Sequence, residues 1–227
     1  MDIKDRILYE DNHLLIVNKL SSEIVQGDKT GDICLLDKVK AYIKEKYHKP
    51  GEVFAGLVHR VDRPVSGVVV FARTSKALSR MTEKVKNRDF HKTYYALVKN
   101  CPPKTEDELS DYMIKNEQQN KSYIVKPGTK GAKLAQLRYR VVADCDNYYL
   151  LEIDLMTGRH HQIRAQLAHI GCPIKGDLKY GFPRSNPDGS IGLHAYKVVF
   201  EHPTLKTELY VKAPLPDVMP WKAFDIE

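Results

Sequence analysis

An aspartate flanked by two arginines is the residue of this chain best placed for chemistry. Asp62 lies in the segment H-R-V-D-R-P-V-S-G of residues 59–67, which runs directly into an apolar segment at 68–72. Nearby arginines favour the charged form of an acid, and Pro64 restricts the backbone of the turn. We therefore predict an ionised carboxylate displayed by a stiff turn at the start of a strand. A turn acid that closes a local salt bridge is the simpler interpretation of the same residues.

Two further segments carry a tyrosine and an arginine in positions that suit a site. Tyr94 lies in K-T-Y-Y-A-L-V at residues 92–98, where strand alternation would place it and Tyr95 on opposite faces. Either ring can instead be core packing. Arg164 lies in T-G-R-H-H-Q-I-R-A-Q-L at residues 157–167. It is either a surface arginine with a buried stem or the bidentate partner of a buried carboxylate.

A glycine-rich segment at residues 171–181, G-C-P-I-K-G-D-L-K-Y-G, and the tripeptide L-H-A at 193–195 complete the unusual segments. The first lacks the G-x-x-x-x-G-K-[ST] order of a P-loop. The chain also lacks the H-E-x-x-H pattern, cysteines at zinc spacing, a G-x-S-x-G elbow and G-x-G-x-x-G. These absences argue against a metal site, a serine nucleophile and a nucleotide cofactor.

Composition indicates an ordinary globular chain with a polyanionic partner. The 227 residues carry a formal net charge of +7 and a sequence pI near 9.1. The four cysteines are widely spaced, which predicts free thiols in a reducing compartment. No apolar segment reaches the ~18–20 residues of a membrane span, and the N-terminus lacks a signal-peptide core. We therefore predict a cytoplasmic protein that does not enter a membrane.

Strands are predicted mostly as consecutive hairpins, with helices inserted singly between them. Apolar spacing predicts a hairpin over 7–17, a helix over 33–47 capped by Asp32, and a second helix that starts at Thr74 or Ser75. The later predicted elements are a strand over 93–99, a projecting loop or hairpin region over 101–135, a hairpin over 137–155, a helix over 161–170 and strands over 193–201 and 207–213. This order favours an α+β fold on a mixed, largely antiparallel sheet with flanking helices and loops.

Taken together, these segments resemble the RluA-type pseudouridine synthases in type and order. The resemblance begins at I-L-Y-E-D-N-H-L-L-I-V-N-K, residues 7–19, and ends at A-P-L-P, residues 213–216, so it covers nearly the whole chain. It implies the pseudouridine synthase catalytic fold in a single domain over 1–227, without a separate N-terminal RNA-binding domain. It also implies conversion of uridine to pseudouridine in structured RNA, either ribosomal or transfer RNA. That isomerisation involves no redox change, so no cofactor or metal is implied.

The resemblance further implies roles for individual residues. Asp62 matches the family's nucleophile, Arg164 matches the arginine that pairs with it, and Tyr94 matches the tyrosine that stacks on the extruded uracil. Leu193 matches an apolar residue that packs on the other side of the base. Arg60 matches an arginine that fills the gap left in the RNA when the nucleotide leaves its stack.

Other basic residues are assigned to RNA binding by charge. Lys92 and Arg159 are interpreted as phosphate contacts or as structural ion pairs, and both alternatives stay open here. Seven cations and two acids give residues 73–92 a net charge of +5. The predicted helix over 74–89 and the lysines between 115 and 133 are therefore expected to follow the RNA backbone.

Four positions depart from the family pattern, namely Leu20, His160, Gln166 and Cys172. None is a proposed chemical group, so the departures bear on substrate contacts. A monomer is the default expectation for the oligomeric state. The rival hypotheses are a non-catalytic RNA-binding or remodelling protein on the same fold, and a hydrolase. For the hydrolase, the sequence offers no second carboxylate or metal site.

Overall fold

The computed structural model describes residues 1–27 and 31–224. Within these residues the strands, in chain order, are β1 (Ile7–Glu10), β2 (Leu14–Lys19), β3 (Gly56–Leu57), β4 (Ser66–Ala72), β5 (Phe90–Val98), β6 (Glu106–Asn116), β7 (Lys121–Val125), β8 (Lys133–Cys145), β9 (Tyr148–Leu155), β10 (Leu193–Glu201) and β11 (Glu208–Lys212). The α-helices in the same residues are α1 (Leu35–Lys46), α2 (Ser75–Asn87) and α3 (Gln162–His169). A short 3-10 turn spans Leu178–Tyr180.

The chain divides into two compact units. The first comprises Met1–His91 and Ala195–Pro214, and the second comprises Lys92–His194 and Leu215–Glu227. The single catalytic domain over 1–227 stays a prediction. None of the helices in the described residues is both long enough and apolar enough to cross a membrane.

The first unit is built on the strand order β1-β2-β4-β10, with β3 paired to β4 and β11 to β10. The segments L-L-I-V of β2 and V-V-V-F-A of β4 are fully buried, which explains why both are apolar without alternation. Their antiparallel register places Lys19, at the end of β2, opposite Gly67. Gly67 has a φ of +112°, and a Cβ there would lie 2.1 Å from the carbonyl oxygen of Ala195. Only glycine therefore fits where the Asp62 turn enters β4.

Helix α2 has the predicted cap and the predicted buried face. The Thr74 side chain accepts a hydrogen bond from the amide of Ala77, and Ala77 and Met81 are buried in the core of the first unit. Its basic face is only partly directed to solvent. Arg80 donates to the carbonyl of Pro203, and Lys84 pairs with Glu201 at 2.9 Å. These contacts leave Lys76, Lys86 and Arg88 as the exposed cations of the helix.

The second unit has the strand order β5-β9-β8-β6-β7, and each of these pairs is antiparallel. Helix α3 packs on β6 and β7 through a small cluster of Met113, Ala135, Ala165 and Tyr180. The region 101–135, predicted as a projecting loop or hairpin, thus contains a hairpin formed by β6 and β7. The predicted α+β fold with a largely antiparallel sheet is confirmed.

One helix cap differs from the prediction. Helix α1 begins at Leu35, and Cys34 is its N-cap in place of Asp32. The Asp37 carboxylate accepts from the Cys34 amide at 3.3 Å and also contacts the Cys34 thiol. Asp32 instead pairs with Arg63 at 3.1 Å. A long-range ion pair has therefore taken the side chain that local spacing assigned to the cap.

Candidate active-site residues

The Asp62 turn is closed by backbone hydrogen bonds in the first unit. The Asp62 carbonyl accepts from the Val65 amide at 3.0 Å, so the chain reverses through Arg63 and Pro64. The Ser22 amide donates to the Arg63 carbonyl at 2.9 Å and ties the turn to a second segment. The Asp62 side chain is half-buried. The predicted stiff turn before β4 is what the structure shows.

A buried lysine supports this turn through hydrogen bonds to its backbone carbonyls. Lys19 is fully buried, and its ammonium donates to the carbonyls of Leu20 at 2.9 Å, Arg63 at 3.0 Å and Val65 at 2.5 Å. An ammonium has three N–H donors, so all three are used. Sequence reasoning gave Lys19 no role. A lysine at the end of the apolar strand L-L-I-V-N-K was the available signal, because a buried cation needs partners.

Glu23 lies near Lys19 and binds two other cations of the first unit. Its carboxylate accepts from both terminal nitrogens of Arg6, at 2.6 and 3.2 Å, and from Lys38 at 2.6 Å. Burial acts to raise the pKa of Glu23, but the hydrogen bonds from Arg6 and Lys38 outweigh it and lower the pKa to about 2. Glu23 therefore stays charged. Burial lowers the pKa of Lys19 to about 7, although the nearby carboxylates of Glu23 and Asp62 act to raise it.

Lys19→Met should destabilise the protein and change how its stability depends on pH. Loss of the donor to buried carbonyls should lower the free energy of unfolding by about 2 kcal/mol near pH 10, where the folded lysine carries no buried charge. In the wild type, Lys19 deprotonates near pH 7 when folded and near 10.5 when unfolded. The unfolded chain therefore binds more protons between these values, and stability should rise with pH there, by at most about 1.4 kcal/mol per pH unit.

Urea denaturation of wild type and variant from pH 6 to pH 10 measures this difference. The matched control is Lys38→Met, which removes a lysine that pairs with Glu23 but whose side chain is 39% exposed. That control should keep the wild-type slope. An identical slope in Lys19→Met and in the wild type would show that Lys19 does not titrate in this range.

The two arginines beside Asp62 differ in their surroundings. Arg63 contacts Asp32 and donates to the carbonyl of Ser22 at 3.2 Å, and the side chain of Arg60 is exposed. The simple interpretation of Asp62 as the acid of a local salt bridge stays a prediction.

Tyr94, Arg164 and Leu193 belong to the second unit. Tyr94 is buried on β5, opposite Ile153 of β9. Leu193 is buried at the first position of β10, and its amide donates to the carbonyl of Ile191 at 2.7 Å. Both positions lie on or at the start of strands, which hold side chains more precisely than loops do.

Arg164 is a buried bidentate arginine, as one of the two sequence hypotheses proposed. Its Nε donates to Oδ2 of Asp177 at 2.7 Å, and its Nη2 donates to Oδ1 at 2.9 Å. Both side chains are almost fully buried. The two hydrogen bonds join Nε and Nη2 of the guanidinium to both oxygens of the carboxylate. This geometry fixes the plane in which the arginine lies.

Asp177 and Tyr180 lie in the glycine-rich segment 171–181, and the sequence by itself assigned neither of them a role. The Tyr180 ring lies 5.1 Å from the guanidinium carbon of Arg164. Its hydroxyl accepts from the Ser122 amide at 2.9 Å and lies 3.1 Å from Nδ1 of His161. Burial, followed by the nearby charge of Arg164, lowers the pKa of His161 to about 2, so this imidazole is neutral. The aspartate in the segment G-D-L-K-Y-G is the sequence feature that indicates a carboxylate partner for a buried arginine.

Among the described residues, Lys92 and Arg159 form no ion pair. In the part of the chain that the structure describes, the Lys92 ammonium has no hydrogen-bond acceptor or carboxylate partner. It points at Gly158, where a Cβ would lie 3.3 Å from Nζ, and burial lowers the pKa of Lys92. Arg159 donates from Nε to the carbonyl of Leu134 at 2.8 Å. Within residues 1–27 and 31–224 the structure therefore gives no support to the ion-pair alternative for either residue.

The four departures from the family pattern have structural partners. The His160 ring lies 2.9 Å from the Ser122 hydroxyl, Gln166 donates to Asp111 at 2.7 Å, and the buried thiol of Cys172 donates to the Asn100 carbonyl at 3.6 Å. The Leu20 amide donates to Glu23 at 3.1 Å. Residues 1–27 and 31–224 contain no group of three His, Cys, Asp or Glu side chains arranged as metal ligands.

Comparison with protein families gives one match over most of the chain. A family model described as RNA pseudouridylate synthase matches residues 13–169. The chain is 33% identical over 223 residues to ribosomal large subunit pseudouridine synthase C of Buchnera aphidicola subsp. Acyrthosiphon pisum (strain APS), covering 94% of this chain and 68% of that protein. The protein of the same name from Escherichia coli O157:H7 is 31% identical over 223 residues, covering 95% and 68%.

Solved structures give the same fold. Human RNA pseudouridylate synthase domain containing 4 superimposes with a TM-score of 0.80 at 24% identity, covering 95% of this chain and 90% of that one. Human RNA pseudouridylate synthase domain containing 1 has a TM-score of 0.75 at 23% identity, covering 96% and 86%. At these identities the superpositions carry the fold and nothing further.

Proposed function

The chain belongs to the RNA pseudouridylate synthase family, and from this premise we propose that Asp62 is its nucleophile and large-subunit ribosomal RNA its substrate. The family match confirms the resemblance found in the motifs. The chain is an RNA pseudouridine synthase, an isomerase whose substrate is RNA. The individual catalytic residues, the particular RNA and its position are the proposal.

The observation that carries the assignment of Asp62 is the support of its turn. The half-buried carboxylate stands on a reversal fixed by a backbone hydrogen bond and by the ammonium of Lys19, which holds the carbonyls of Arg63 and Val65. A nucleophile must be presented at a fixed angle to the atom it attacks. The H-R-V-D motif places Asp62 at the family's nucleophile position.

The reaction exchanges one glycosidic bond for another. The bond between C1′ of the ribose and N1 of uracil breaks, the base turns, and a bond forms between C1′ and C5. The C5 proton is lost and N1 ends protonated, so atoms balance with no oxidant or reductant. Asp62 takes part as the nucleophile, and Tyr94 stacks on the uracil and assists removal of the C5 proton.

Arg164 acts as the orienting cation for the Asp62 carboxylate. Asp177 holds the guanidinium through Nε and Nη2. Leu193 packs on the base opposite Tyr94. Arg60 enters the gap left by the extruded nucleotide and offsets part of the few kcal/mol that unstacking costs.

The proposal of a ribosomal substrate is supported by the names of the relatives, which are ribosomal large subunit pseudouridine synthases. A transfer RNA would fit the charge of the chain equally well, and the experiment below distinguishes the two substrates. Cytoplasmic location and a monomeric state stay predictions.

Pseudouridine mapping across total RNA tests the function and the substrate together. Cells with and without the gene are compared by carbodiimide-based sequencing, and the purified protein is added back to RNA from the deletion strain. We expect one or more large-subunit uridines to lose and regain modification. Loss confined to transfer RNA would overturn the ribosomal assignment. Release of free uracil in the add-back reaction would indicate a hydrolase, and RNA binding without any modified uridine would indicate a non-catalytic protein.

Lys92→Met should weaken RNA binding through loss of one phosphate contact. The ammonium has no partner among the described residues, so a phosphate is the group that would compensate its burial. We expect the dissociation constant to rise about tenfold and the slope of log K against log salt to fall by about one. Gly158→Ala should act in the same direction, because its methyl group would stand 3.3 Å from Nζ.

Fluorescence anisotropy with labelled large-subunit RNA at several salt concentrations provides both quantities. Lys99→Met is the matched control, since it removes an exposed lysine just beyond the end of β5. An unchanged salt slope in Lys92→Met would contradict the phosphate contact.

A further inference from the structure

The hairpin of β6 and β7 has one face on the core and one face outward. Met113 and Ser122 are each 3% exposed, and Met113 packs with Ala165 of α3. Side chains alternate along a strand, so the neighbours of these residues point the other way. Cross-strand register pairs Tyr112 with Val125 and Ile114 with Tyr123. These four residues form what we call the hairpin face.

The composition of the hairpin face is unusual for its position. The outward side of an antiparallel edge strand is normally polar, and β7 ends the strand order of the second unit. Here it carries two aromatic and two β-branched side chains. Tyr112 is 36% exposed and Tyr123 is 38% exposed, so both rings reach the surface.

Lysines surround the hairpin face. Five lysines and one glutamate lie between residues 112 and 134, which gives a net charge of +4, and the lysines at 115, 126, 130 and 133 are exposed. The ammonium of Lys121 lies 5.3 Å from the centre of the Tyr123 ring. The glutamate, Glu117, is neutralised by Lys115 at 2.6 Å.

The hairpin is fastened to the element that holds Arg164. The Tyr180 hydroxyl bonds to both the amide and the carbonyl of Ser122, at 2.9 and 3.2 Å. Lys179 donates to the carbonyls of Gln119 and Asn120, in the connection between the two strands. These contacts fix the hairpin against the 3-10 turn Leu178–Tyr180. The hairpin face is therefore held in a fixed position relative to that turn.

We propose that the hairpin face is a stacking surface for unpaired RNA bases, with Tyr112 and Tyr123 as the stacking rings and the surrounding lysines on the phosphates. Exposed aromatic rings within a cationic surface are the combination that binds single strands. A second copy of this chain would bring like charges together, and an acidic protein would leave the tyrosines without a specific role. The inference deepens the proposed function by assigning part of the RNA contact to this hairpin.

Binding of a labelled single-stranded RNA of about 12 nucleotides, and of the same strand in a duplex, tests the proposal. Tyr112→Ala/Tyr123→Ala should bind the single strand at least about tenfold more weakly than the wild type, since stacking on one ring is worth roughly five-fold or more. Tyr112→Phe/Tyr123→Phe keeps the rings and should stay within about threefold of the wild type. The duplex has no unstacked bases, so its affinity should change little.

The matched control is Tyr210→Ala. Tyr210 is 54% exposed on β11 and also has a lysine over its ring, Lys197 at 5.6 Å, but it lies outside the hairpin. It should bind as the wild type does. Unchanged single-strand binding by the double alanine variant would overturn the proposal, as would an equal loss in Tyr210→Ala, in the double phenylalanine variant or on the duplex.

A photocrosslink locates the contact independently of affinity. RNA containing 4-thiouridine, irradiated with the wild-type protein, should attach to peptides that contain Tyr112 or Tyr123, and attachment exclusively elsewhere would overturn the proposal. Neither measurement depends on catalysis. If ribosomal RNA proves not to be the modified RNA, the proposed substrate fails while the binding result stands. If the double alanine variant binds the single strand as the wild type does, the stacking surface fails while the proposed substrate stands.

Discussion

Asp62→Ala should abolish pseudouridine formation, with a rate at least about 10⁴-fold below that of the wild type. No other carboxylate lies on the turn that Lys19 supports, so no neighbouring group in it can replace the nucleophile. The measurement is single-turnover release of tritium from C5-labelled RNA. RNA affinity should be largely kept, because phosphate and stacking contacts supply most of it.

The control for this result is Asp32→Ala, which removes an exposed carboxylate that pairs with Arg63 of the same turn. It changes charge by the same amount and should stay within about twofold of wild-type activity, as surface ion pairs contribute little. Substantial turnover by Asp62→Ala at saturating RNA would sink the assignment of the nucleophile.

Breaking the Arg164–Asp177 pair should have the second largest effect. Arg164→Met leaves the Asp177 carboxylate buried without its cation, which should cost about 3–5 kcal/mol of stability. It should also lower the rate by about 10²-fold or more, because the nucleophile loses its orienting charge. Asp177→Asn should lower the stability and the rate less than Arg164→Met does, since the amide keeps the shape of the carboxylate and carries no charge.

The double variant Arg164→Met/Asp177→Leu separates stability from catalysis. Replacing both partners by apolar groups of similar size is often neutral for stability, so the thermal midpoint should recover. Activity should not recover, because the guanidinium is absent. Recovery of the rate together with stability would mean that the pair is purely structural and that Arg164 does not serve the nucleophile.

Local signals predicted most of the secondary structure because they act within one element. The hairpin of β1 and β2, the cap at Thr74 and the strand from Leu193 depend on residues a few positions apart. The cap of α1 was predicted wrongly for the opposite reason. Asp32 found an arginine far away in the chain, and Cys34 with Asp37 took over the helix end.

The extent of the 101–135 region also required the tertiary structure. Its polar, lysine-rich sequence has a weak strand pattern, and β6 and β7 are stabilised by pairing with β8 and by packing on α3. Cross-strand pairs of this kind depend on register, which a single strand does not encode.

The motifs by themselves indicated the family, and their resemblance to it implied the reaction and the residues proposed to carry it, because each motif is a short segment that can be compared residue by residue. Only the tertiary structure decided what holds those residues in place. The ammonium of Lys19 and the carboxylate of Asp177 are buried charges, and their partners lie many residues away, at Val65 and at Arg164. A buried charge is stable only with such partners, and partners distant in sequence meet only when the chain has folded.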